Sequence, residues 1–307
     1  MNTRRTIFAG LAVVCAAAPL PAATLAEGSA ANLAPHFEIG ATVRYEHALT
    51  ITQTQRVGKF GTATVSLQME STLRFTTTRL RPSGGAEVEL VFDRLFVDIV
   101  RPEKERATYD SASPDQPEDE PFARALAGVA ASSVVYELDT AGRVVGLHGA
   151  REIGRLIEGL DGFTLVGSVF SEPFFRELIE DVYAPAGESP RRTVGDTWQT
   201  TLAIPLGGLP GALTTVVWTL DGVDGDAVRI SGAGTTAFDH VESPLLRGLG
   251  QRVSGEFSRF MIDWSAADGR TTKIEKARAV EARFSTRAGV LGTVTLGVYT
   301  LLTKHGR

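Results

Sequence analysis

The sequence predicts a mainly β protein with helices, an α+β arrangement in which a large curved antiparallel sheet, or two similar half-barrel sheets, pack on central helices. Three observations carry that reading. Period-two alternation rich in Val, Thr, Phe and Tyr dominates from residue 38 onward. Two strand-rich stretches flank a helical middle. Glycine-containing turns punctuate the alternating runs.

Residues 1–26, MNTRRTIFAGLAVVCAAAPLPAATLA, place Arg4 and Arg5 before an apolar run from Ile7 to Leu20, followed by Pro21 and small residues with cleavage points after Ala23 or Ala26. This is the pattern of a secretory signal peptide. The run of about 14 residues falls short of the roughly 20 that cross a bilayer, and no later segment approaches that length without charges or glycines. Pro19 and Pro21 favour a processing site over a continuing helix. The stretch from Thr3 to Phe8 resembles a twin-arginine export signal only weakly, since Ile7 stands two places after Arg5 and lysine is absent, so general secretion is the default. Lipidation at Cys15 is disfavoured by the bulky Val14 before it. If Cys15 leaves with the leader, the mature chain has no thiol for disulfides or thiol catalysis. The expected location is periplasmic or secreted.

Beyond the leader, residues 27–190 read as a β-rich first half, and residues 191–307 as a second half that is either separate or continuous with the first. Alternation marks strands in the runs Ala41 to Thr52, Ala63 to Phe75 and Ala86 to Val100. In the second run Val65, Leu67, Met69, Leu73 and Phe75 share one side, while Thr64, Gln68, Glu70 and Arg74 share the other. One dry and one wet face imply antiparallel pairing, because parallel strands are covered on both faces. Residues 110–121 form an acidic, proline-rich exposed loop. Helices follow near 122–130, 150–160 and 165–183, with a hairpin between the first two that turns at Asp139 to Gly142. Strands then return at 197–204, 213–220, 227–238, 252–264, 271–285 and 290–302, with turns expected at Asp221-Gly222, Asp224 to Asp226 and Asp268-Gly269. A repeat of the opening grammar, Ile39-Gly40-Ala41-Thr42-Val43 and Val194-Gly195-Asp196-Thr197-Trp198, leaves an internal duplication open.

With 43% hydrophobic and 22% charged residues the chain is too polar for a multi-span helical membrane protein. Its formal charge is −5, and loss of the leader removes Arg4 and Arg5 and no acid, making the mature chain more acidic still. That balance argues against nucleic acid and leaves no polybasic patch for anionic lipid heads.

Thr193-Val194-Gly195-Asp196-Thr197-Trp198, together with the segment from Gly232 to Asp239, resembles an uncharacterised family of bacterial exported β-rich proteins, mainly over residues 190–260. The resemblance implies an exported β-rich chain and no particular activity. Physically, Gly195 and Asp196 suit a turn entering a strand, and Trp198 suits a large anchor on the sheet.

No catalytic, cofactor-binding or metal site is assigned. His36, His47, His148, His240 and His305 lack zinc spacing, and Asp221, Asp224 and Asp226 lack the ligand pattern of a calcium loop. No G-x-S-x-G elbow or phosphate-binding glycine loop is present. Asp239, His240 and Ser254 supply triad residue types without a motif. The carboxylate pair Asp93 and Asp98, or the set Glu177, Glu180 and Asp181, is open to sugar-hydrolase chemistry, although the latter set reads better as the wet face of a helix whose dry face holds Phe174 and Leu178. The functional expectation is a non-enzymatic extracytoplasmic protein that binds an apolar or lipid-like molecule or an envelope protein, without cofactor, nucleic acid or a membrane span after processing. The alternative is a hydrolase with a dispersed acid/base site.

Overall fold

The computed structural model describes residues 29–305 except 59–60, 103–104, 114–119, 159, 161–163, 186, 188, 204–211, 239–249 and 287–288. The leader-like residues 1–26, Asp239 and His240 lie outside the described residues.

The first half contributes β1 (Ala30–Asn32), β2 (Thr42–Val57), β3 (Thr62–Leu80), β4 (Ala86–Val100), β5 (Arg106–Asp110), α1 (Pro121–Ala130), β6 (Ser133–Leu138) and β7 (Val144–His148). Then come α2 (Ala150–Ile157), α3 (Thr164–Val169), α4 (Glu172–Tyr183) and β8 (Arg191–Thr193). The second half contributes β9 (Thr197–Ala203), β10 (Ala212–Asp224), β11 (Ala227–Phe238), β12 (Gly250–Ser265), β13 (Arg270–Thr286) and β14 (Gly289–Lys304).

Both halves enter one 12-stranded antiparallel sheet ordered β7-β6-β4-β3-β2-β14-β13-β12-β11-β10-β9, with β5 beside β4. The halves meet where β14 pairs with β2, in a register that sets Tyr299 opposite Thr50. The sheet is not closed: β7 and β9 are its ends. β1 and β8 form a separate two-stranded sheet.

Alternation sets the dry face. Val43, Tyr45, Leu49 and Ile51 of β2 are buried, and Leu67, Met69, Leu73 and Phe75 of β3 continue the layer. Ile274, Val280 and Ala282 of β13 and Leu296, Val298 and Leu302 of β14 carry it into the second half. Each such side chain contributes roughly 1.5–3 kcal/mol on burial, so the face is the main store of stability.

Three details differ from the sequence reading. The helix expected over 165–183 is two helices, because Pro173 lacks the N–H an interior turn needs and sits instead in the first turn of α4, after Ser171 in extended backbone. Asp221-Gly222 is not a hairpin turn. It lies inside β10, where the pairing with β11 shifts register between Leu220 and Gly222, a bulge that absorbs the flexible glycine. The real turn follows at Gly225-Asp226. β5, whose five residues are too short to show a convincing period, was not expected as a strand.

The contacts of α4 show that the sheet bends strongly. Glu180 accepts a bond from the Val144 N–H on β7 at 3.3 Å, while the next residue, Asp181, meets Lys276 on β13 at 2.6 Å. Those strands are six steps apart in the sheet order, about 29 Å if the sheet were flat. Neighbouring residues of one helix span that interval only if the sheet curls around them.

Candidate functional site

Period two on β13 places Ile274, Lys276, Arg278 and Val280 on the dry face, so two cations sit inside an apolar stripe. Lys276 is 2% exposed and Arg278 8%. Burial of a charge on this scale demands partners, and α4 supplies them. Glu177 and Asp181 are one turn apart on α4 and face β13 together. Lys276 Nζ donates to Glu177 Oε1 at 2.8 Å and to both Asp181 carboxylate oxygens at 2.6 Å. Arg278 Nη2 reaches Glu177 Oε1 at 3.4 Å, and its guanidinium lies 5.8 Å from the centre of the Phe260 ring. Thr271 donates its hydroxyl proton to the Asp181 backbone carbonyl at 2.7 Å, and the Tyr45 hydroxyl donates to the Thr271 carbonyl at 2.6 Å, pinning the end of α4 to the sheet.

His47 joins from β2. It is 2% exposed, its Nδ1 lies 3.3 Å from Ser71 Oγ, and its ring sits 6.1 Å from the Phe174 ring. Burial, reinforced by the Lys276 charge, pushes the imidazole down to about 4, so it is neutral at pH 7. Burial pushes the Asp181 carboxyl up to about 6; Lys276 opposes this and Glu177 adds to it. Burial also works against ionised Glu177, but Lys276 and Arg278 outweigh it and hold this carboxyl low. Asp181 is therefore the weaker acid of the pair. Burial opposes the charge on Lys276 too, yet Asp181 and Glu177 hold its ammonium in the charged form.

These groups surround a cavity of about 40 Å³, lined also by Leu49, Ile51, Val169, Leu178, Val298 and Thr300. Three buried nitrogens of its lining side chains meet no hydrogen-bond partner among the described residues: His47 Nε2, Arg278 Nε and Arg278 Nη1.

The residues singled out from the sequence fare differently. Glu177 and Asp181 are not a wet face: the bent sheet closes on that side of α4, and both side chains keep only 15–16% exposure. Asp93 bridges Arg44 at 2.7 Å and Arg74 at 2.8 Å, and Asp98 takes two bonds from Arg106, so both are held in ion pairs. Ser254 is exposed and donates to Glu281 at 2.7 Å. Asp221 accepts from Ser231 at 2.9 Å inside the β10 bulge. His148 and His305 lie beside Glu137 and Glu46 near the surface. Among the described residues no group of three metal-ligating side chains converges. Trp198 is 7% exposed, donates from Nε1 to the Pro185 carbonyl and carries the Arg192 guanidinium 4.7 Å above its ring, while Gly195 takes φ +92° and Asp196 accepts the Thr193 N–H.

The residues missed were Lys276 and Arg278, and His47 had been weighed only as a zinc ligand. Their signal was present in the sequence as polar residues at in-facing positions of otherwise apolar alternations, Tyr45-Glu-His47-Ala-Leu49 and Ile274-Glu-Lys276-Ala-Arg278-Ala-Val280.

The architecture defines an open, strongly bent antiparallel sheet enclosing a buried charge cluster. It is similar to a solved structure describing lipid–protein interactions in lipovitellin, with a TM-score of 0.50 and 10% identity over 88% of this chain and 26% of that one. The chain thus spans about a quarter of that lipovitellin chain, and at this identity the likeness concerns the fold alone. DynF from the dynemicin pathway of Micromonospora chersina matches at 9% identity over 91% of this chain and 86% of its own, and OpdQ of Pseudomonas aeruginosa at 8% over 87% and 99%. Both have a TM-score of 0.20, too low to bear on the fold. No family model and no curated protein matches the chain.

Proposed function

We propose that the protein is a non-enzymatic binder of an apolar or lipid-like molecule in an extracytoplasmic compartment. The observation that carries the reading is the long antiparallel sheet, bent but unclosed, with a continuous apolar face shared by β2, β3, β13 and β14. Bent sheets with an apolar interior of this kind are an architecture suited to apolar guests. The fold likeness to lipovitellin, whose structure describes lipid–protein interactions, supports the same class of ligand. The leader-like residues 1–26 support export to the periplasm or the medium. The charge cluster supports binding over catalysis, since Lys276, Glu177 and Asp181 spend their hydrogen bonds on one another.

The test is native mass spectrometry of the protein purified without detergent from its own envelope fraction. A mass increment that organic extraction identifies as an acyl-chain compound is the expected result. A bare polypeptide mass from every preparation, together with no uptake of added acyl chains, overturns the reading.

A further inference from the structure

A cavity of about 40 Å³ has room for about three water molecules, and therefore for a ligand's head group and not for its chain. Its walls are of three kinds: apolar side chains, the mutually paired Lys276, Glu177 and Asp181, and two groups with spare hydrogen-bonding capacity, His47 and Arg278. Leu49, Ile51, Val169, Phe174, Leu178 and Val298 are apolar, and the partly exposed lining residues Phe174, Glu177, Asp181 and Thr300 mark the side where the cavity reaches solvent. His47 and Arg278 are each more than nine-tenths buried, and each leaves ring or guanidinium nitrogen unsatisfied by any described group. A buried guanidinium with spare N–H groups is the costliest kind of orphan in a protein interior. Neutral His47 carries one ring proton; in the tautomer where Ser71 donates to Nδ1, that proton stands on Nε2 and makes it a further donor, and this is the tautomer a bound carboxylate selects.

We propose that this cavity seats a single carboxylate, the head of an acyl chain, held by the free N–H groups of Arg278 and by His47 Nε2. This rests on the apolar-ligand reading above and names the head group that the ligand carries. Acceptor-only oxygens answer the chemistry of the site, where the unsatisfied nitrogens belong to a guanidinium and an imidazole.

Charge balance adds a second consequence. Lys276 and Arg278 of β13 are already matched by Glu177 and Asp181 of α4, and His47 of β2 is neutral. A bound carboxylate makes the cluster net negative, and Asp181, whose carboxyl is pushed up to about 6, is the group placed to take a proton in compensation. No bond of the ligand is made or broken: one carboxylate enters, and up to one proton passes from a buffer acid to an Asp181 carboxylate oxygen.

The experiment titrates the delipidated full-length protein with decanoate and with decanol at pH 6.5 by isothermal calorimetry, in two buffers of different ionisation enthalpy. Decanoate is expected to bind about tenfold or more tightly than decanol and to draw a fraction of a proton, up to one, from the buffer. Arg278→Gln is expected to bring decanoate down to the affinity of decanol while leaving decanol unchanged. Equal binding of the two ligands by the wild type, or decanoate binding by Arg278→Gln at wild-type strength, overturns the carboxylate seat and leaves the apolar-ligand reading standing. Failure of both ligands to bind overturns both. If Arg278→Gln does not fold, the wild type decides alone, because decanoate binding without proton uptake also overturns the proposal.

Discussion

Replacing His47 with Asn keeps a side chain able to bond Ser71 and removes the titration, which exposes the opposed proton linkages of the cluster. His47 has an ordinary value of 6.5 and is pushed down to about 4 in the fold. Its contribution is fully present above pH 6.5 and is lost as the pH falls toward about 4, because the unfolded chain takes up the proton first. Asp181 runs the other way: its ordinary value of 3.8 rises to about 6, so its contribution is present at low pH and is lost as the pH rises through about 6. Between pH 7 and pH 5 linkage gives a loss of about 2 kcal/mol from His47 and a gain of about 1 kcal/mol from Asp181. The two partly offset each other in the wild type. Urea unfolding of wild type and His47→Asn at both pH values isolates the His47 part, since titration of all other groups is common to the two proteins. On going from pH 7 to pH 5 the variant should fare better than the wild type by about 2 kcal/mol. A difference below about 0.5 kcal/mol, or one of opposite sign, refutes the placement of His47 as a buried neutral base.

Lys276→Met leaves Glu177 and Asp181 buried with only Arg278 nearby, and should cost about 3–5 kcal/mol at pH 7 and less at pH 5, where the carboxyls accept protons; a variant as stable as wild type at pH 7 would contradict the pairing. Gly142 has φ +80° and an added Cβ would stand 2.2 Å from the Tyr183 carbonyl oxygen, whereas Gly195 has φ +92° and open space around it. Thermal unfolding should therefore show Gly142→Ala clearly more damaging than Gly195→Ala, which loses only the backbone preference of about 1–2 kcal/mol; equal losses would disprove the close approach of the β6–β7 turn to α4. Phe170, just after α3, is fully buried beside Phe92 of β4, so Phe170→Ala should cost about 3–5 kcal/mol in urea unfolding, and a loss under about 1 kcal/mol would place the end of α3 away from the sheet.

The sheet was legible because alternation is local. The run from Ala86 to Val100 and the hairpin turning at Asp139 to Gly142 are visible in a dozen residues and reappear as β4 and the β6–β7 link. One large sheet was among the readings the sequence left open, but the strand pair that joins the halves was not legible, since the pairing of β14 with β2 brings together residues some 250 positions apart and no local pattern encodes a partner. The charge cluster failed for a related reason. Glu177 and Asp181 look solvated on a helical wheel, and become buried only because the sheet curls around α4 on more than one side. Lys276 and Arg278 were detectable as cations at in-facing positions of β13, but their counter-ions stand about a hundred residues away.

The claim that the bent sheet takes an acyl chain is tested most directly by titrating the delipidated full-length protein with a fluorescent long-chain acyl probe. Saturable, stoichiometric binding that unlabelled acyl chains displace is the predicted result. A signal that rises linearly without saturation, and that unlabelled chains fail to displace, would contradict it.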